Sequence, residues 1–197
     1  MNRSLMFWLA SLLLFSGGMA MWFASHRDTS DSRPLPVSEE PLQEFTLVER
    51  SGKQFHSHSL KGQIWVGSFF FASCPHRCEI QNRQIKELQD EYGARGVKFV
   101  SITCDPERDT PVKLAKYADR LGADREQWLF LTGNLSYIQR VGRDLFQVPV
   151  EPDTHSEKLM VFDPAGKPVG YYHWQKPSDL QSLRAVLDDL LEAQTRG

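Results

Sequence analysis

Residues 68–78, Ser-Phe-Phe-Phe-Ala-Ser-Cys-Pro-His-Arg-Cys, constrain this chain more than any other stretch. They predict a buried strand running straight into a turn and then a helix. Two of the three cysteines, Cys74 and Cys78, sit at that junction. If Cys78 lies on the first helical turn, the i to i+4 spacing brings both sulfurs to one face. A helix start also carries partial positive charge and unpaired N–H groups, which stabilise thiolates. Such a pair can exchange electrons as a disulfide or bind a soft metal. A purely structural disulfide is the plainer alternative, disfavoured because structural pairs rarely sit so close in sequence at an electropositive helix start.

Composition narrows the surroundings. A chain of 197 residues, 41% hydrophobic and 24% charged, holds one domain plus extras and builds a core without staples. Three cysteines are too few for a disulfide framework. The formal charge is −2, and without Arg3 the balance is 22 basic residues against 25 acidic ones, or −3. There is no basic block interleaved with aromatics, so nucleic acid is not an expected partner.

Residues 5–24 are uncharged and rich in Leu, Phe, Met and Trp, close to the ~20 residues that span a bilayer as a helix. Trp22 and Phe23 suit an interface, and His26-Arg27-Asp28 closes the run. The rival reading is a signal peptide cut after Gly18-Met19-Ala20. Length favours a retained transmembrane anchor, and either reading exports the remainder. No cysteine follows the run, which argues against a lipid anchor there. Residues 25–41 are polar and proline-bearing and predict a flexible linker, with a globular domain over 42–197.

Within that domain, residues 45–48 predict a strand, and residues 63–71 a central strand buried on both faces. His56 and His58 alternate beside a turn and fit a solvated loop better than a metal site. Ile80, Ile85, Leu88 and Tyr92 mark a helix face. Strand 97–104 follows, then a loop over 105–111, with Pro111 suited to a first helical turn. A helix runs to Gly122, then a strand over 128–131, a helix over 135–146, and a polar loop over 148–156 that carries His155. Strand 159–162, an edge strand at 169–174 and an amphipathic helix at 178–193 complete the chain. That order predicts an α/β sandwich with a mixed sheet flanked by helices.

Chemical groups in such sheets gather beyond the carboxyl ends of the strands. Cys74 and Cys78 follow the buried strand, Asp105 follows the next, and His155 comes from a later loop. Two thiolates and an imidazole suit Cu(I), with Zn(II) the main competitor.

At this point the chain resembles the SCO/SenC copper-delivery proteins of thioredoxin-like fold. The matching stretches are Cys74-Pro75-His76-Arg77-Cys78, the loop Asp105-Pro106-Glu107-Arg108-Asp109-Thr110-Pro111, and Asp153-Thr154-His155-Ser156 ahead of Asp163-Pro164-Ala165-Gly166, with Gly133-Asn134 before the third helix. The resemblance implies that Cys74, Cys78 and His155 bind copper, with Asp105 close by. It implies a domain tethered to the inner membrane through residues 5–24 and facing the periplasm or its equivalent. Its partner would be the copper-receiving subunit of cytochrome c oxidase during CuA assembly, with other periplasmic copper chaperones or thiol reductases alongside.

Three positions depart from the family pattern. Glu79 stands where Pro is usual and would oppose a nearby thiolate; Thr154 replaces an Asp before His155; Cys104 occupies a position that is usually aliphatic. Strand alternation makes Cys104 a buried side chain. Two functions follow: a non-enzymatic copper chaperone, or a thiol–disulfide oxidoreductase that reduces a partner's copper-binding cysteines on the Cys74–Cys78 pair. Only the first needs His155. A peroxidase of the peroxiredoxin type would call for Pro and Thr or Ser where this chain has Gly67 and Phe71.

Overall fold

A computed structural model describes residues 44–74, 76–152 and 156–196. The chain divides into two units, residues 1–33 and 34–197, and every described residue belongs to the second. The expected anchor at 5–24, the whole of the expected linker at 25–41, and His155 lie outside the described residues. Among the described residues no helix is long and apolar enough to cross a membrane.

The domain is a seven-stranded mixed sheet. In chain order its strands are β1 (Thr46–Glu49), β2 (Gln54–His56), β3 (Trp65–Phe70), β4 (Lys98–Thr103), β5 (Trp128–Thr132), β6 (Lys158–Phe162) and β7 (Pro168–His173). Across the sheet they run β2-β1-β5-β4-β3-β6-β7. Strands β3, β4 and β5 are parallel, so their carboxyl ends share one edge of the sheet. The strand predicted over 63–71 is β3, buried at all six positions between β4 and β6. The predicted edge strand is β7, at one margin. At the other margin β2 is a strand where a loop was expected. It pairs antiparallel with β1, and its His56 still faces solvent.

Register decides which side chains share a face. Ser68 and Phe70 lie beside Ser101 and Thr103, and Phe130 beside Ser101. On that face Ser68 and Ser101 hydroxyls are 2.9 Å apart, and the Trp128 indole N–H donates to Ser101 at 2.9 Å. Two helices cover it: α1 (Arg77–Tyr92) and α2 (Pro111–Leu121). Tyr117 of α2 stacks on Phe70 and accepts a 2.8 Å hydrogen bond from Asn82 of α1. The other face is aromatic. Trp65 stacks on Phe162 at 3.8 Å, and Phe146, next after α3 (Leu135–Leu145), sets its ring edge-on to both and to Phe69. Gly67 makes room for it, since a Cβ there would lie 2.5 Å from the Phe146 ring. A proline at this position, as the peroxidase pattern needs, would collide with that ring. Helix α4 (Pro177–Arg196) packs along β7 and joins α1 through a 2.9 Å Arg184–Glu91 ion pair.

Candidate metal centre and thiol pair

Strand β3 ends at Phe70, and a tight turn carries the chain to Cys74, whose N–H returns to the Phe71 carbonyl at 3.2 Å. The turn is held from below by Asp109. This fully buried carboxylate accepts the Ala72 N–H at 2.8 Å and the Thr103 hydroxyl at 2.7 Å through one oxygen. The Lys113 ammonium stands 3.1 Å from the other oxygen, an ionic contact rather than an aligned hydrogen bond. Asp109 reaches this place because residues 105–109 fold back on themselves: the Arg108 and Asp109 N–H groups both bond to the Asp105 carbonyl. Asp105 is itself buried, and its carboxylate is taken by the Arg108 guanidinium. The acid in direct contact with the cysteine turn is therefore Asp109, which the sequence reading passed over. Nothing in its periodicity distinguishes it from a solvated loop charge.

Helix α1 begins at Arg77, so Cys78 is on the first turn and Cys74 just ahead of it. His76, at the cap position, makes no side-chain capping bond. The Cys74 sulfur fills that role: it accepts the Cys78 N–H at 3.3 Å. Burial opposes ionisation of Cys74. The N–H groups of Cys78, His76 and Arg77, with the Cys78 thiol, outweigh it and hold Cys74 below the ordinary thiol value.

Cys78 behaves oppositely. It is wholly inaccessible, and burial pushes its thiol far above the ordinary value; the Phe71 N–H offsets part of this, while Cys74 and Cys104 add to it. Both cysteines were expected to gain acidity from the helix start. Only the one whose sulfur points back at the free N–H groups does so. Glu79 was expected to oppose the thiolate; its carboxylate turns to Arg83 at 3.1 Å and is not among the strongest influences on Cys74.

Cys104 is shut in completely, and its thiol donates to the Phe70 carbonyl at 3.1 Å. The Phe71 N–H of the same peptide group serves Cys78. Carbonyl and N–H of a trans peptide point in opposite directions, so this rigid unit stands between the two sulfurs.

Among the described residues no group of three His, Cys, Asp or Glu side chains is placed to hold a metal. His155, the third expected ligand, lies outside the described residues. The chain just beyond it is anchored to the cysteine turn. Glu157 accepts the Arg77 guanidinium at 2.8 Å and the Gln175 amide at 3.1 Å, and its carbonyl accepts the Trp174 N–H at 3.2 Å. The exposed rings of His56 and His58 lie 5.5 Å apart, tilted by 32°, at the end of β2, with His56 Nδ1 bonded to Thr46.

The sequence profile of the SCO1/SenC family matches residues 36–192. The chain belongs to that family. Two relatives illustrate the range. The SCO1 protein homolog of Bacillus subtilis is 30% identical over 149 residues, covering 71% of this chain and 76% of its own. A protein of Stutzerimonas stutzeri described as a putative copper-binding protein is 30% identical over 166 residues, covering 78% of each chain. Among solved structures, BsSco, described as a Sco-family cytochrome c oxidase assembly protein with a disulfide switch, superposes with a TM-score of 0.71 at 25% identity. That superposition covers 81% of this chain and 96% of BsSco. The thioredoxin-like α/β architecture expected from the sequence is thus the one this SCO1/SenC chain adopts.

Proposed function

We propose that the domain carries one copper ion as cargo on Cys74, Cys78 and His155 and hands it to the CuA subunit of cytochrome c oxidase. In this reading residues 5–24 hold it at the inner membrane, with the domain on the periplasmic or equivalent side. Other periplasmic copper chaperones or thiol reductases supply its metal and electrons.

The observation that carries the reading is the Cys74 sulfur, gathered into the N–H groups of a helix start with a second thiol buried beside it. Two soft sulfurs select Cu(I) over harder ions. The uneven pair assigns roles. Cys74 is the ready ligand, and Cys78 gives up its proton as a cation replaces it, so loading releases protons. His155 lies two residues before Glu157, whose carboxylate is bonded to the residue preceding Cys78. The names of its relatives, one for copper and one for oxidase assembly, point the same way.

The test is copper stoichiometry and affinity of the reduced protein beside its variants. One Cu(I) per chain is expected, nearly abolished by Cys74→Ala or Cys78→Ala and weakened more than about tenfold by His155→Ala. Equal affinity for parent and His155→Ala would remove the imidazole from the site.

The same asymmetry supports a second reading, thiol–disulfide exchange. The Cys74 thiolate would attack a disulfide sulfur of the partner, releasing one partner thiolate. Cys78, once deprotonated, would attack the Cys74 sulfur and release the second. The partner gains two electrons, with one proton from Cys78 and one from solvent, and the domain is left with a Cys74–Cys78 disulfide. Loss of exchange in Cys78→Ala with a trapped Cys74 adduct, at unchanged rate in His155→Ala, favours this reading.

A further inference from the structure

The proposed function leaves His56 and His58 unused. Exposed histidines are ordinarily just solvated, but the backbone beneath this pair is tied down at three points. His56 ends β2 and is paired with Thr46 of β1. Ser57 turns inward: its hydroxyl accepts the Phe45 N–H at 2.7 Å, and its own N–H donates to the Phe45 carbonyl at 2.9 Å. The Ser59 hydroxyl donates to the His56 carbonyl at 2.8 Å. With Ser57 buried between them, the side chains at 56 and 58 both emerge on the solvent side.

The spacing of the rings suits a shared ion. A transition ion ~2 Å from one nitrogen of each ring lies ~3.2 Å from each ring centre. Ring centres 5.5 Å apart then correspond to an angle of roughly 120° at the ion, near the tetrahedral value. The planes are 32° from parallel, and the exposed His58 ring turns readily to aim its nitrogen. His56 is already oriented. Its Nδ1 lies 2.9 Å from the Thr46 hydroxyl oxygen, so an N–H at Nδ1 donates there and leaves Nε2 as the open lone pair. Glu44 adds negative charge beside the rings. Lys61, at 2.6 Å, is the main influence lowering its carboxyl, and His58 and His56 act in the same direction.

We propose that His56 and His58 hold one borderline divalent ion such as Zn(II), His56 through Nε2, with water completing the shell. Two neutral imidazoles suit such an ion, whereas the Cys74–Cys78 pair suits Cu(I). Glu44 contributes charge, not a third bond, since Lys61 holds its carboxylate; accordingly no group of three ligands stands here among the described residues. Strand β2 is four strands from β3, a separation of ~19 Å by strand spacing. Because β1 is antiparallel to β5, His56 stands at the edge of the sheet that also bears Cys74. The domain therefore presents two metal sites along one edge, a soft one and a harder one, with no ligand in common.

The test uses the full chain in detergent with Cys74→Ser and Cys78→Ser, which removes the sulfurs, and with nitrogen-15 in its histidine rings. Titration with Zn(II) should move the ring-nitrogen resonances of His56 and His58 together, with His56 coordinated at Nε2 and still protonated at Nδ1. Calorimetry should give a site that His56→Ala or His58→Ala weakens more than about tenfold. Both rings are exposed, so neither change threatens the fold. Thr46→Val keeps a good strand residue but removes the acceptor for Nδ1–H, and should weaken the site by about tenfold. Shifts confined to other histidines, or to only one of this pair, overturn the proposal. So does an affinity unchanged in either alanine variant. Equal affinity in Thr46→Val and its parent would overturn the assignment of Nε2 as the ligand atom of His56.

Discussion

Helices α1 and α2 start a few residues beyond two neighbouring parallel strands, on the same face of the sheet, yet their first turns are finished differently. At α2 the Thr110 hydroxyl accepts the Lys113 N–H and Pro111 takes the first position. At α3, on the other face, Asn134 accepts the Tyr137 N–H at 3.1 Å. Both are oxygen caps, indifferent to redox state and metals. At α1 no oxygen cap exists, and the acceptor is the sulfur of Cys74. A cap made of sulfur couples the helix start to chemistry. Its hold is strongest as a thiolate, and it changes partner when the sulfur is oxidised or bound. The difference separates a helix that only needs to stand from one whose first turn does the work.

Asp109 joins the two starts, since it immediately precedes the Thr110 cap and reaches across to the Ala72 N–H. Breaking this link should have the largest effect. Asp109→Ala leaves the Ala72 N–H and the Thr103 hydroxyl without their acceptor in the interior, a loss expected near 3 kcal/mol by denaturant titration. A loss below about 1 kcal/mol would mean that the cysteine turn stands without it.

The cap comparison is sharpened by Cys74→Ala against Asn134→Ala. Each removes one acceptor, and each should cost about 1 kcal/mol where the cap is fully effective. They should differ in pH dependence. Cys74 titrates below the ordinary thiol in the folded chain. Its thiolate contribution is therefore complete above the unfolded pKa near 8.5 and fades as pH falls through the folded value. The cost of Cys74→Ala should shrink as pH falls from above the unfolded value through the lowered folded one, while that of Asn134→Ala stays level. Parallel profiles for the two variants would mean that the sulfur caps as a neutral thiol.

Much of this arrangement was legible in the residues. The apolar run into Cys74 specified a central strand, and the periodicity of Ile85, Leu88 and Tyr92 the helix behind it. Strand β2 was missed because Gln54-Phe55-His56 has no buried face of its own and exists only by pairing with β1. The inequality of the two cysteines was also invisible. Spacing fixes which face a side chain is on, but burial of Cys78 depends on what α1 packs against. Asp109 was hidden for a related reason: a carboxylate becomes a core residue only when distant donors close around it.

The smallest expected effect concerns Cys104, whose sulfur lies across one peptide group from that of Cys78. The Phe70 carbonyl accepts both the Cys104 N–H at 2.8 Å and its thiol at 3.1 Å. Valine at this position keeps the N–H, so the carbonyl retains its stronger donor, and only a weak thiol bond is lost. The larger side chain must be accommodated in a site with no exposed surface, at a cost of about 1 kcal/mol where the neighbours yield slightly. Cys104→Val should therefore fold, bind metal like the parent and keep the Cys74–Cys78 exchange rate. In the parent, an alkylating reagent should label Cys74 in the native state and Cys104 only after denaturation. A disulfide joining Cys104 to Cys78 would require the Phe70–Phe71 peptide to move from between them. Finding one in the folded chain, or fast native labelling of Cys104, would place the third sulfur in the working part of the molecule and make α1's first turn answer to three thiols, not two.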